Sequence, residues 1–263
     1  MSEIRAAQAR ERRKKWLISG LCTGCGKNKP DTGTTCEICR KRKRRHHHNR
    51  TNKGICRCQS ILEPGTKVCS ECSNKGRRRH YELVLATLKH YGPHCKCCSE
   101  TDYVVLTIDH INGGGNEHAR KIGRGSSLYR WLRRNKNPEG FRVLCSNCNH
   151  GIVRNSGECP HAKIIPAKNQ YAKYIGGLRE KAIKAYGGKC LCGISEPLFL
   201  HLDHINNDGA EHRRQINRQN LYIWARNNNY PDMLQLLCSN CNLAKERTGF
   251  KNFLGEQGIV CNI

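Results

Sequence analysis

Twice in this chain an Asp-His pair, Asp109-His110 and Asp203-His204, is followed further along by LCSNCN, at 144–149 and 237–242, with an asparagine directly behind the second cysteine. Two kinds of ligand are mixed here. Cysteine thiolate is a soft donor that suits zinc, whereas a carboxylate or amide oxygen is hard and suits magnesium or manganese. Asn149 and Asn242 are therefore poor partners for an ion already held by sulfur, and with Asp109 and Asp203 they form a second, oxygen-bearing set. Asparagine is also among the best helix N-cap residues, so capping is the competing reading of Asn149 taken alone. The repeated order of cysteine knuckle, Asp-His, then knuckle with trailing Asn favours a ligand. His110 and His204 add an imidazole, whose ordinary pKa of ~6.5 lets the neutral ring take a proton from water near neutrality.

The soft set is large. Nineteen cysteines occur in 263 residues. Sixteen fall into four groups of four: Cys22, Cys25, Cys36 and Cys39; Cys56, Cys58, Cys69 and Cys72; Cys95, Cys98, Cys145 and Cys148; Cys190, Cys192, Cys238 and Cys241. Four thiolates close a tetrahedral zinc site, so these sites are structural and the expectation is about four zinc ions per chain. The first two groups, each with ten residues between its knuckles, read as tandem zinc ribbons, each a pair of short hairpins clamped on one ion. Cys97, Cys159 and Cys261 are left over, and the sequence assigns them no role. The N-terminus lacks an apolar signal region and no run is long enough to span a bilayer, so a reducing, cytoplasmic setting (nucleoid, nucleus or virus-infected cell) is expected, with thiols binding metal rather than each other.

A zinc on four thiolates carries a formal charge of about −2, and four of them leave the chain strongly basic. Lys and Arg number 47 against 21 acids, a balance of +26, while the apolar share is 37% with only four Phe. That composition argues against one large core and for small metal-braced modules. The basic excess points to nucleic acid as partner: DNA, double-stranded or branched, with RNA left open, and no membrane. Residues 1–80 hold 22 Lys and Arg against six acids. Behind the first ribbon stand Arg40, Lys41, Arg42, Lys43, Arg44 and Arg45, and behind the second Arg77, Arg78 and Arg79, both read as phosphate-contacting arms. His46, His47 and His48 belong to the first tract rather than to a metal site. Farther on, Arg130, Arg133, Arg134, Arg213 and Arg214 are candidates to hold the nucleic-acid strand. No nucleotide-binding loop is present, which argues against a self-contained motor.

Residues after 80 are a duplication. Tyr129, Trp131, Pro138 and Cys145 return as Tyr222, Trp224, Pro231 and Cys238, 93 residues on. Each copy reads as a helix (81–91 or 177–186) ended by Gly92 or Gly187, a knuckle, a β-rich run YVVLTIDHI or LFLHLDHI, a polar loop, a helix around the Trp, a short strand FRVLC or LQLLC, and a helix after Asn149 or Asn242. The knuckle of the second copy is one residue shorter, CxC against CxxC. The segments expected are 1–50 and 51–80 for the basic N-terminus and two ribbons, 81–155 and 175–250 for the copies, 156–174 as linker and 251–263 as tail.

The ordered CxxC, DH and LCxxCN resemble the HNH or His-Me finger nucleases, most closely the recombination endonuclease VII branch, over about residues 81–155 and 175–250. The resemblance implies tandem small α+β (ββα-metal) modules, each a hairpin and helix around one divalent ion with a zinc on four cysteines as brace. It implies Asp109 and Asn149, with Asp203 and Asn242 in the second copy, as ligands of magnesium or manganese, and His110 and His204 as general bases. Asn112 and Asn206 stand where that family has a second histidine, and the hairpin loop is much longer, which leaves the substrate geometry open. The implied activity is metal-dependent cleavage of DNA leaving 5′-phosphate and 3′-hydroxyl ends, two sites in one chain cutting without dimerisation. The competing reading is a zinc-dependent nucleic-acid-binding protein, architectural or RNA-associated, that does not cut.

Overall fold

The computed structural model describes residues 2–30, 33–166 and 169–248 of the chain. The expected tail, 251–263, and Cys261 lie outside the described residues. The chain divides at Gly76 into two compact units.

The first unit is mainly helical, with α1 over Ser2–Ile18, α2 over Glu37–Asn52 and the start of α3, Ser70–Tyr91. Its small cores are built from sulfur: Cys22, Cys36 and Cys39 form one buried cluster, and Cys56, Cys72 and Leu62 form another. The expected pairs of hairpins are not found among the described residues. Among the described residues of this unit the extended pairing is a single bridge, Ile55 to Ile61. The second knuckle of each group instead opens a helix, Cys36 and Cys39 at the start of α2 and Cys69 and Cys72 at the start of α3. Helix starts carry unpaired backbone N–H groups that thiolates accept well; Cys36 N donates to Cys22 Sγ at 3.2 Å and Cys69 N to Cys56 Sγ at 3.3 Å. A CxxC spacing fits a helical first turn as well as a hairpin, which is why the sequence did not separate them. Gly26, at φ +67°, makes room for the Trp16 ring, which a Cβ there would meet at 2.3 Å.

The second unit contains the duplication. The first copy runs β1 (Leu106–His110), α4 (Gly115–Ile122), α5 (Ser126–Arg134), β2 (Phe141–Cys145) and α6 (Ser146–Arg154). The second opens with α7 (Gln170–Ala185) and a short 3-10 turn, then β3 (Leu200–His204), α8 (Gly209–Gln215), α9 (Leu221–Asn227), β4 (Leu234–Cys238) and α10 (Ser239–Glu246). β1 pairs antiparallel with β2 and β3 with β4, giving two separate two-stranded sheets. The registers match: Asp109 faces Arg142 and Leu106 faces Cys145, as Asp203 faces Gln235 and Leu200 faces Cys238. Alternation along the strand does the sorting: Leu106 and Ile108 are buried while Thr107 and Asp109 face outward. Each sheet packs on its own core, Leu88, Leu106, Leu132 and Val143 in the first copy and Ala182, Leu200, Ala225 and Leu236 in the second.

The copies dock by exchanging equivalent contacts. Arg154, ending α6, donates to Leu198 O at 2.8 Å, and Arg247, its counterpart behind α10, donates to Val104 O and Leu106 O, both at 3.0 Å. This is the reciprocity of an isologous dimer, written into one chain. The segment read as a linker is ordered where it leaves α6: Asn155 is fully buried, donates to Glu158 O and accepts from Ile165 N.

Candidate metal centres and the paired-histidine cleft

The sixteen cysteines assigned to zinc gather into the four expected groups. With Zn–S near ~2.3 Å, the edge of a tetrahedron of sulfurs is about 3.8 Å. The observed separations agree: Cys25 to Cys36 is 3.9 Å, Cys98 to Cys145 3.7 Å and Cys192 to Cys238 3.8 Å, with Cys58 to Cys69 closer at 3.4 Å. The donor sets therefore fit zinc, CxC knuckles included. Within these groups the hydroxyl and amide of Ser60 bring Cys58 down to about 6 and the amides of Asn28 and Lys27 lower Cys25, while burial pushes Cys39 up to about 12. A fifth group, Cys97, Cys148, Cys159 and His161, was not foreseen. Its only signals in the sequence are the adjacent Cys97-Cys98 and the CPH triplet at 159–161.

In α6 the N-cap is Cys145, whose sulfur accepts from Cys148 N at 3.5 Å. Asn149 thus lies within the first turn, not at the cap, and its side chain is turned toward β1, Nδ2 donating to Thr107 Oγ1 at 3.0 Å. α10 repeats the arrangement, with Cys238 as cap and Asn242 inside. Asp109, His110 and Asn149 line one cleft of about 990 Å³, together with His118, Arg124, Arg142 and Arg247.

His110 and His118 are in direct contact, Nε2 to Nδ1 at 2.8 Å, and His204 and His212 repeat this at 2.7 Å. The second histidine of each pair comes from the helix after the strand, eight residues on, and sits edge-on to a tryptophan, His118 on Trp131 at 4.3 Å and His212 on Trp224 at 4.1 Å. Glycine makes the approach possible. A Cβ on Gly115 would lie 3.2 Å from His110 Nδ1, and one on Gly209 only 2.8 Å from His204 Nδ1. Burial, then the adjacent histidine, holds the pKa of His110 and of His204 below the usual value, against the pull of Asp109 and of Asp208 and Asp203.

The two copies differ at the carboxylate. Asp109 Oδ2 accepts from Arg142 Nε at 2.9 Å. Asp203 Oδ2 accepts from Gln235 Nε2 at 2.9 Å and from Lys245 Nζ at 2.7 Å, and the same ammonium donates to His204 O at 2.7 Å and Ile205 O at 3.2 Å. Lys245 has Ile152 at the equivalent place in the first copy. Three oxygens thus surround the one ammonium. The second pocket is also more closed, with His204 7% and His212 6% exposed.

Among the described residues no group of three Asp, Glu or His side chains converges in either cleft. In the first cleft the carboxylate of Asp109 is held by Arg142 and the amide of Asn149 by Thr107.

The basic candidates lie on helices. Lys41, Arg42, Lys43, Arg44 and Arg45 are exposed on α2, and Arg77, Arg78 and Arg79 on α3. Arg40 is half-buried and donates to Thr35 O at 2.6 Å, which ties it to the loop before Cys36. Arg130, Arg133 and Arg134 on α5, and Arg213 and Arg214 on α8, are exposed; Arg214 is paired with Glu211. Among the described residues no helix is long and apolar enough to cross a membrane. No protein-family model, curated protein or solved structure matches the chain.

Proposed function

We propose that this protein is a metal-dependent nuclease that hydrolyses phosphodiester bonds of DNA at the first copy, with the basic helices of the zinc-bearing N-terminal unit and the second copy holding the nucleic acid. The observation that carries the reading is the His110–His118 pair within the same cleft as Asp109 and Asn149.

His110 serves as general base. When His110 donates its Nε2–H to His118 Nδ1, the lone pair stands on Nδ1, beside Gly115. The missing side chain there leaves room for the water to be deprotonated. A ring held below its usual pKa is neutral at pH 7 and ready to accept. His118, fixed by Trp131, orients the base and takes up positive charge as it protonates. Arg124 lies along the cleft where phosphate oxygens would bind, and Arg142 holds Asp109. A magnesium or manganese ion on Asp109 and Asn149, when bound, would offset charge on the phosphate and the leaving oxygen.

The burial of His204 and His212, whose counterparts His110 and His118 are partly exposed, supports a different role for the second copy, binding without cutting. The test is cleavage of plasmid DNA and of single-stranded RNA with magnesium or manganese, with chelator, and with His110→Ala and His204→Ala. Loss of cleavage in the first variant by about 10²–10⁴, with cleavage kept in the second, is expected. Cleavage unchanged in His110→Ala would overturn the assignment, and binding without cleavage under every metal would leave the non-catalytic, nucleic-acid-binding reading in its place.

A further inference from the structure

Three sulfurs converge on one ring nitrogen in the first copy. His161 Nδ1 lies 3.4 Å from Cys148 Sγ, 3.5 Å from Cys159 Sγ and 3.7 Å from Cys97 Sγ. Hydrogen bonding does not explain this, because an imidazole nitrogen offers either one N–H or one lone pair. A metal does. With Zn–S of ~2.3 Å and Zn–N of ~2.0–2.1 Å, the S···N edge of a tetrahedron is about 3.6 Å. All four donor atoms lie within 4.8 Å of one another.

Cys148 already belongs to the group of Cys95, Cys98 and Cys145, with its sulfur 3.7 Å from that of Cys98. A thiolate has lone pairs enough to bind two ions. We infer that the first copy holds a dinuclear zinc cluster, one ion on Cys95, Cys98, Cys145 and Cys148 and the other on Cys97, Cys148, Cys159 and His161, bridged by the Cys148 sulfur.

The second copy lacks the means to repeat it. Its shorter knuckle has only Leu191 between the two cysteines, and positions 252 and 254, which correspond to Cys159 and His161, hold Asn and Leu. The extra ion is thus particular to the first copy, where it fastens the connecting segment. Pro160 lies against Gly151 of α6, whose Cβ would meet it at 2.8 Å, and the His161 ring packs 4.9 Å from Phe199 of the second copy. Through the Cys148 sulfur, the brace of one copy is tied to the contact surface of the other.

The experiment is zinc content of the full-length protein, followed by cadmium-113 NMR of the exchanged protein. Wild type should bind five zinc ions and the Cys97→Ser, Cys159→Ser double variant four. The NMR spectrum of wild type should show two cadmium resonances coupled to each other through one shared sulfur, a readout that needs no variant to fold. Four zinc ions in both proteins, or a fifth ion without cadmium–cadmium coupling, would overturn the bridged cluster.

Discussion

Asn147 and Asn240 hold each other across the duplication. Asn147 N donates to Asn240 Oδ1 at 2.8 Å, and Asn240 N donates to Asn147 Oδ1 at 2.9 Å, from residues 93 apart in the chain and 3% and 4% exposed. Each is the first asparagine of SNCN, so two residues of one helical turn divide two tasks: Asn147 joins the copies while Asn149 faces the cleft.

Removing one side chain orphans a buried N–H on the other copy. Asn147→Ala and Asn240→Ala should each destabilise the second unit by about 1–3 kcal/mol. Their effects should be non-additive, because both act on the same pair of contacts. Denaturant unfolding of the singles and the double is the check, and strict additivity would mean that the two bonds act independently.

Lys245 neutralises Asp203 where the first copy has an apolar residue. The pair is largely buried, with side-chain exposures of 19% and 13%, so Lys245→Ile leaves a carboxylate short of its cation. Lower thermal stability is expected, recovered on adding magnesium or manganese, whereas wild type should respond less. Equal responses of the two proteins to the ion would show that the ammonium does not occupy a cation site.

His80 offers a pH test away from the metal ligands. Its ring stands edge-on to Tyr129, 6.3 Å between centroids, and burial, then Arg247 and Arg130, lowers its pKa. A base whose folded pKa is depressed stabilises the fold fully above its unfolded value of ~6.5, and that stability is lost as pH falls below it. Between pH 7 and 5 wild type should lose more stability than His80→Gln, compared in parallel so that loss of zinc affects both. Identical pH slopes would contradict the assignment.

The exposed cations of α2 make a salt-dependence prediction. Changing Lys41, Arg42, Lys43, Arg44 and Arg45 to Gln should weaken DNA binding and flatten the dependence of log K on log salt, by about 0.9 for each duplex phosphate that the helix no longer neutralises. An unchanged slope, measured by fluorescence anisotropy over a salt series, would remove α2 from the interface.

Much of the molecule was legible because it is local. Grouping by fours identified the cysteine clusters that could hold zinc, the alternation of LTIDH and LHLDH located the strands, and the 93-residue echo identified the copies. The ribbon hairpins failed because a knuckle at a helix start has the spacing of one at a hairpin, and thiolates accepting helix N–H groups made the helix the better use of it.

What the sequence determined by itself, then, is donor chemistry and element pattern, since softness, charge and periodicity belong to residues and their near neighbours. Tertiary structure decided which donors meet: His118 with His110, Lys245 with Asp203, Asn147 with Asn240, and three sulfurs with His161. Each of these depends on a loop or a second copy returning to the same few ångströms. That return is fixed by packing of the two leucine-rich cores and not by any spacing along the chain.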